Sequence, residues 1–526
     1  MDSESASKIR VNEWKETPYI RGVKPLEITN EHWGIEQVWK SVQNTPQLTL
    51  SKDVAQAVAQ CRAFLESKLT GDNGPAIYGV NTGFGDLAHT RVGSDELSAL
   101  QRNLLVSHAC GVGEVVPTEV VRAMVLLKIK ALGKGHSGVR LETVERLMAH
   151  WNANLLPVVP SQGSLGASGD LAPLSHMVLP LIGEGEVHVE GIPVPSHEVL
   201  QAKGWTPLQL GAKEGLALIN GTQLMLAYGV MAMERLERIA DWADALCAWS
   251  LEAWHGRIEP FDVDIHNLRN QSNAALVASN VTDWLKKSQW QQTPREQVQD
   301  PYSFRCAPQV HGASRNTLAF ARTVLENEIN AVTDNPLIFP EKDKVLSGGN
   351  FHGQPLALQL EALALAAAEW GSISERRTFK LLSGRQGLPA FLVANPGLNS
   401  GFMIPQYTAA SLVSQNKQLC APNVVDTIDS SNGQEDHVSM GANAALKLWK
   451  VLDNVEQVLA IECLSAAQAC DLRGTKGMAP ALEGLQRSLR REVPFLSQDA
   501  YMHPHLLAAK AWMFSRELSN DGHSAG

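Results

Sequence analysis

Three long stretches of the chain leave almost no side free to face water. They read GTQLMLAYGVMAMERLERIADWADALCAW from Gly221, PLALQLEALALAAAEWGSISERR from Pro355 and HVSMGANAALKLWKVLDNVEQVLAIECLSAAQACDLR from His437. Apolar residues recur at helical spacing, alanine is abundant and helix breakers are few. Helices this long and this apolar need cover on several sides, from a bundle core or from another subunit. The chain is therefore expected to be mainly α, with residues 221–526 forming a long-helix bundle. Residues 34–220 read as a smaller mixed region. In it, helical patterns such as PTEVVRAMVLLKIKAL alternate with glycine- and proline-rich loops, Pro117 opening that helix and Gly133 closing it. The alternation in GEGEVHVEGIPVP predicts a short hairpin. Residues 1–33 carry little periodicity and read as an N-terminal extension.

Composition excludes several classes. The 526 residues carry a formal net charge of −10, and no basic stripe of the kind that binds nucleic acid is visible. The seven cysteines are scattered and odd in number, with no CxxC pair. That predicts free, buried thiols in a reducing compartment. The polar start MDSESASKIRVNEWKE has no signal-peptide core, and no run of 18 apolar residues offers a bilayer span. The expectation is a cytoplasmic protein with no nucleic-acid or membrane partner. HExxH, paired CxxC and EF-hand spacings are absent, so no metal site is expected.

The chemistry is expected in the glycine-rich breaks between helices. The most unusual is GSLGASGDLAPL at residues 163–174. Ser168 is not placed as in a Gly-x-Ser-x-Gly nucleophile elbow, because the second glycine comes one residue early and no strand clearly leads in. Phosphate-loop patterns are absent too. A plain Ser-Gly-Asp turn fits the tripeptide. So does a fourth reading, in which the Gly169 nitrogen attacks the Ala167 carbonyl carbon to close a five-membered ring. Loss of water from the ring, and of the Ser168 hydroxyl as a second water, then leaves an electrophilic exocyclic methylene. Small residues favour that closure. The tripeptide alone leaves these readings open.

The wider sequence resembles the aromatic amino-acid ammonia-lyases that carry methylidene-imidazolone. The resemblance covers about residues 40–520. It rests on YGVNTGFG (78–85), GSLGASGDLAPLSHM (163–177), LINGTQ (218–223), QDPYSFRCAPQVHG (299–312), SGGNFHG (347–353), NSGFM (399–403) and QEDHVSM (434–440), in that order. It implies that Ala167, Ser168 and Gly169 become the prosthetic group, borne by the 34–220 region, with no external cofactor. The implied reaction removes ammonia from an α-amino acid to leave an unsaturated acid, with the enzyme acting as electrophile.

The same resemblance assigns the remaining roles. Tyr78 matches the base that takes the β-proton. Free tyrosine has a pKa of about 10, so this task predicts a depressed value. Arg305 matches the residue that pairs with the substrate carboxylate, a task suited to a planar guanidinium. Tyr302, three residues earlier and on the same side of any helix there, matches a tyrosine that supports the electrophile and proton transfer. Asn220 matches a residue near the carboxylate and the ring, with Gln299 in the same cluster. Phe351 matches an aromatic that shields the ring.

Four positions bear on the substrate. Ser107-His108 stands where relatives acting on phenylalanine or tyrosine show Phe-Leu or His-Leu, and Glu435 where they show glutamine. A polar pair and a carboxylate suit an imidazole, which offers one donor and one acceptor when neutral. Met403 fits the same type. The expected reaction is conversion of L-histidine to trans-urocanate and ammonia, in a homotetramer whose sites draw residues from several subunits. A modified histidine, another aromatic amino acid, an aminomutase and a non-catalytic helical assembly are the alternatives. The chain departs from the family pattern at Asp86, His89, Pro405 and the longer SSNGQEDH segment, changes that bear on loop closure.

Overall fold

A computed structural model describes residues 23–69, 76–295 and 297–518. The described residues are mainly helical, with four small sheets of two or three strands. They group into two compact units, each discontinuous in sequence. Among the described residues, the first comprises those within 23–231, 322–360 and 422–446, and the second those within 232–321, 361–421 and 447–518. The single break expected at 220/221 is thus replaced by an interleaved division. Its physical reason is continuity of the long helices: Gln223–Trp254, Ala307–Ile329, Gln354–Leu381 and Gly441–Arg473 each contain a unit boundary.

In the first unit, the helix Thr118–Gly133 is buried from Ala123 to its end. It packs against helices Ile35–Asn44 and Leu141–Asn152. Pro117 precedes it as the cap residue and Gly133 ends it. Strands Glu186–Val189 and Ile192–Pro195 form the expected hairpin, with Val187 opposite Val194. Its two-residue turn places Glu190 and Gly191 at φ of 50° and 82°, the left-handed pair that matches strand twist. Of the extension placed at residues 1–33, residues 1–22 lie outside the described residues. Its remainder is built into the fold rather than detached. Leu26–Ile28 pairs in parallel with Leu48–Leu50. Trp33 is buried, exchanges two hydrogen bonds with Asn330 and lies under the Lys130 ammonium.

The second unit holds most of each long helix. Every residue from Val458 to Cys470 is buried, as are Leu236, Ile239, Trp242, Leu246 and Trp249. One chain therefore supplies all-round cover for these segments, whereas Leu358, Leu365 and Phe379 of Gln354–Leu381 stay exposed. Gln354–Leu381 is long and apolar enough to cross a membrane by length and composition, yet 67% of its most apolar window is buried in the protein. Its charges are paired: Glu361 with Lys447, and Arg377 with Glu462. The cysteines are free, and Cys61, Cys247, Cys463 and Cys470 are buried as expected, whereas Cys110 is exposed.

Arg377 and Glu462 are both fully buried, with Nη2 donating to Oε2 at 2.8 Å, and the Ser250 hydroxyl donates to Glu462 Oε1 at 2.7 Å. Removing one charge strands the other in a low-dielectric core. Glu462→Gln is expected to destabilise the fold by about 3–5 kcal/mol, read from denaturant unfolding. A loss below about 1 kcal/mol, the range of a surface pair, would show that the core tolerates an unpaired guanidinium.

Candidate active site

A cleft of about 1080 Å³ opens in the first unit. Four loops and two helix ends, those of Leu97–His108 and Glu214–Ile219, build it.

The first loop carries Tyr78. Asn81 Oδ1 accepts the Ile77 N–H at 2.7 Å, and Thr82 Oγ1 accepts the Gly79 N–H at 3.1 Å. These short side chains replace the regular ladder that a loop lacks. The Gly85 N–H donates to the Tyr78 hydroxyl at 3.2 Å. Burial pushes the Tyr78 pKa up, the Gly85 hydrogen bond lowers it and the Glu435 charge raises it, with a net rise above 10. The expected depression of Tyr78 is therefore corrected: desolvation outweighs the single backbone donor.

Ser107 and His108 end the helix Leu97–His108 and line the cleft. Ser107 Oγ and His108 Nδ1 lie 3.0 Å apart. Desolvation lowers the His108 pKa below 6.5, although a Leu104 backbone contact and the Glu435 charge raise it. Burial therefore favours the neutral ring.

The second loop is GSLGASGD. Gly169 has φ +73°, and a Cβ built there falls 2.1 Å from the Gly221 carbonyl oxygen. Only glycine satisfies both the backbone conformation and the approach. The next residue closes the contact, because the Asp170 N–H donates to Gly221 O at 2.7 Å. Asp170 is fully buried. Its Oδ2 accepts the Leu224 and Met225 N–H groups at 3.0 Å each, and its Oδ1 accepts the Ser164 hydroxyl at 2.9 Å. Burial raises its pKa to about 6 against these stabilising bonds. Ala167 packs with Val438 and Met440. Ser168 turns into the cleft, its carbonyl accepting Asn220 Nδ2–H at 2.7 Å and its hydroxyl donating to Glu435 Oε1 at 2.7 Å.

Phe351 lines the cleft from the third loop. The fourth loop presents Glu435, anchored by a two-way backbone pairing with Ser430, whose hydroxyl donates to Oε2 at 3.1 Å. Here two departures from the family pattern meet. Asn432 Nδ2 donates to Asp86 Oδ2 at 3.0 Å, and the Asp86 N–H to Ser431 Oγ at 3.4 Å, tying the Tyr78 loop to the Glu435 loop.

The cleft thus gathers Tyr78, Ser107, His108, Ala167, Ser168, Asn220, Phe351 and Glu435, with Gly169 directly behind. Gln299, Tyr302, Arg305 and Met403 belong to the second unit and are not among its lining residues. There, Arg305 lies over the Tyr302 ring at 4.5 Å from its centroid, as their spacing predicted, and its Nε donates to Asp300 O. Tyr302 is 70% exposed. Asp170, Gly221 and Ser430 were not singled out from sequence. Only Asp170 carried a signal, as the charged residue ending a run of small ones.

The model of the family described as "Aromatic amino acid lyase" matches residues 34–491. A Deinococcus radiodurans protein named histidine ammonia-lyase is 49% identical over 498 residues, covering 93% of this chain and 94% of its own. A Symbiobacterium thermophilum protein of the same name is 48% identical over 489 residues, covering 93% and 96%. Among solved structures, histidine ammonia-lyase from Trypanosoma cruzi has a TM-score of 0.86 at 38% identity, covering 93% of each chain. Tyrosine aminomutase from Streptomyces globisporus has a TM-score of 0.88 at 35% identity, covering 93% of this chain and 97% of that one.

The neutral His108 yields a direct check. By NMR its ring should titrate with a midpoint below 6.5, protonating only on the acid side of that value. A midpoint at or above 6.5 would mean that the Glu435 charge outweighs burial.

Proposed function

The chain belongs to the aromatic amino acid lyase family and is a carbon–nitrogen lyase, and from that premise we propose that it converts L-histidine to trans-urocanate and ammonia. The observation that carries the substrate is the polar wall of the cleft. Ser107-His108 and Glu435 face the same space as Ser168, and the Glu435 charge is felt at both His108 and Tyr78. A wall built for phenyl or phenol rings has no use for a carboxylate beside a neutral imidazole. An imidazole substrate, with one N–H donor and one acceptor, satisfies both.

The residues at 167–169 fit the methylidene-imidazolone group. Gly169 has no side chain to obstruct its contact with Gly221, Asn220 grips the Ser168 carbonyl and the Ser168 hydroxyl points into the cleft. When formed, that group supplies an electrophilic carbon that no natural side chain offers. Asn220 withdraws electron density through its hydrogen bond to the Ser168 carbonyl oxygen. Glu435, held by Ser430, accepts the imidazole N–H, and His108 presents its neutral ring to the other nitrogen. Tyr78 removes the β-proton at its hydroxyl oxygen. A phenol with a raised pKa is rarely ionised at neutral pH but is a strong base once it is. The kcat/KM should therefore climb on the alkaline side, about tenfold per pH unit while Tyr78 remains protonated. Phe351 covers the site with an apolar ring.

Gln299, Tyr302, Arg305 and Met403 complete the site from another copy of the chain, with Arg305 on the substrate carboxylate. Two features support this. Tyr302 is exposed with Arg305 stacked on it, and the second unit leaves Phe320, Leu365, Phe379 and Tyr407 largely exposed. Apolar surface of that kind favours self-association, here as a homotetramer.

Purified protein given L-histidine should form urocanate, seen by ultraviolet absorbance, with one ammonia each. Phenylalanine, tyrosine and methylated histidines should turn over far more slowly. Intact mass should fall short of the sequence by two waters, and Ser168→Ala should abolish both effects. An undiminished mass overturns the proposed electrophile. Ser107→Phe with His108→Leu should lower kcat/KM for histidine by on the order of 100-fold.

Shared sites make a separate prediction. Tyr78→Phe and Arg305→Ala proteins, each inactive alone, should regain activity when unfolded and refolded together. Persistent inactivity of mixed oligomers would place both residues in sites built by one chain.

A further inference from the structure

A buried lysine stands behind the cleft wall, unused by the chemistry above. Lys128 lies on helix Thr118–Gly133 and is 1% exposed. Its Nζ donates to the main-chain carbonyls of Ala217 at 3.2 Å and Asn220 at 2.9 Å. These carbonyls lie at the C-terminal end of helix Glu214–Ile219, where intrahelical donors run out. Lys213, also buried, is engaged differently, by an ion pair with Asp334 at 2.6 Å.

What Lys128 holds is the main chain of a residue that touches the electrophile's precursor. Asn220 leaves the helix in extended backbone, φ −85° and ψ 127°. Its side chain reaches Ser168 O at 2.7 Å, and the following residue, Gly221, accepts the Asp170 N–H at 2.7 Å. The ammonium therefore holds the peptide unit that joins the two residues, Asn220 and Gly221, whose contacts seat residues 168–170.

We propose that Lys128 is a positioning residue of the lyase reaction: its ammonium fixes the Asn220 carbonyl and so holds the Asn220 amide on the Ser168 carbonyl. The inference rests on the lyase reading above. Without the ammonium, the Asn220 carbonyl is buried with no donor, and its peptide plane is free to rotate. Once that carbonyl turns to seek another donor, the backbone at residue 220 shifts and takes the side chain off the Ser168 oxygen. Misplacement by about 1 Å costs on the order of 100-fold in rate. Burial works against this cation, driving its pKa down to about 7. A lysine that only filled space there would be better replaced by an apolar side chain.

The test uses full-length protein and histidine turnover. Lys128→Met keeps the length of the stem but removes the donor. It should lower kcat by on the order of 10- to 100-fold with KM within about twofold. Lys128→Arg, which restores a charged donor, should stay within about threefold of the parent. Lys128→Met combined with Asn220→Ala should be no slower than Asn220→Ala alone, since both changes act on one contact. Where Lys128→Met does not fold, Lys128→Leu, which also lacks a donor, is read by the same criteria. An active parent with unchanged kcat in the neutral variant overturns the inference alone, as does strict additivity with Asn220→Ala. So does an arginine variant as impaired as the neutral ones, or failure of both neutral variants to fold while the arginine variant does. A parent inactive on histidine overturns the lyase reading, and this inference with it.

Discussion

The buried carboxylate of Asp170 holds together the part of the molecule on which everything else depends. One oxygen takes two N–H groups at the start of the helix Gln223–Trp254, the other takes the Ser164 hydroxyl, and the residue's own N–H ties it to Gly221. Those N–H groups belong to the first turn of a helix, which has no internal acceptors for them. A carboxylate satisfies them with its charge at the favoured end of the dipole. The result clamps the glycine-rich loop to the scaffold, with Gly169 pressed against Gly221 more closely than any side chain allows. A loop of small residues would otherwise be the least restrained part of the chain.

Around that clamp the cleft balances burial against charge. Tyr78 is desolvated beside Glu435, which makes its phenol a reluctant acid and a strong base. The same desolvation favours the neutral form of His108. Glu435 is held by Ser430 and faces Ser168. The contact between Asp86 and Asn432 shows that sequence departures in two distant loops were one structural feature. Each loop alone looked anomalous, and together they join the segments bearing Tyr78 and Glu435.

Much of the fold was legible because its periodicity is strong. The long helices, the 117–133 helix and the 186–195 hairpin follow from apolar spacing and turn residues. The division of the chain was not legible, because a helix 32 residues long gives no local sign of where its packing partners change. Burial of residues 23–33 was hidden too. A three-residue strand and one tryptophan carry almost no pattern, and their place depends on Asn330 and Lys130 far along the chain. At the site, Tyr78, Ser168, Asn220 and Glu435, which line the cleft, were named from motifs. The residues that hold them, Asp170, Gly221, Ser430 and Lys128, were not, since their work is done by hydrogen bonds to main chain, which no residue type reveals.

By itself, then, the sequence determined the class of fold, the family and the candidate site residues, because apolar period and motif residues are local properties written in residue identity. The tertiary structure decided which of those side chains share a cleft, which belong to the second unit and in which direction burial moves Tyr78 and His108. It brought Ser168, Asn220 and Glu435 within hydrogen-bonding distance across 267 residues of chain. It also reversed the expected direction of the Tyr78 pKa. Both outcomes depend on distance and desolvation in three dimensions, and neither is set until the helices have packed.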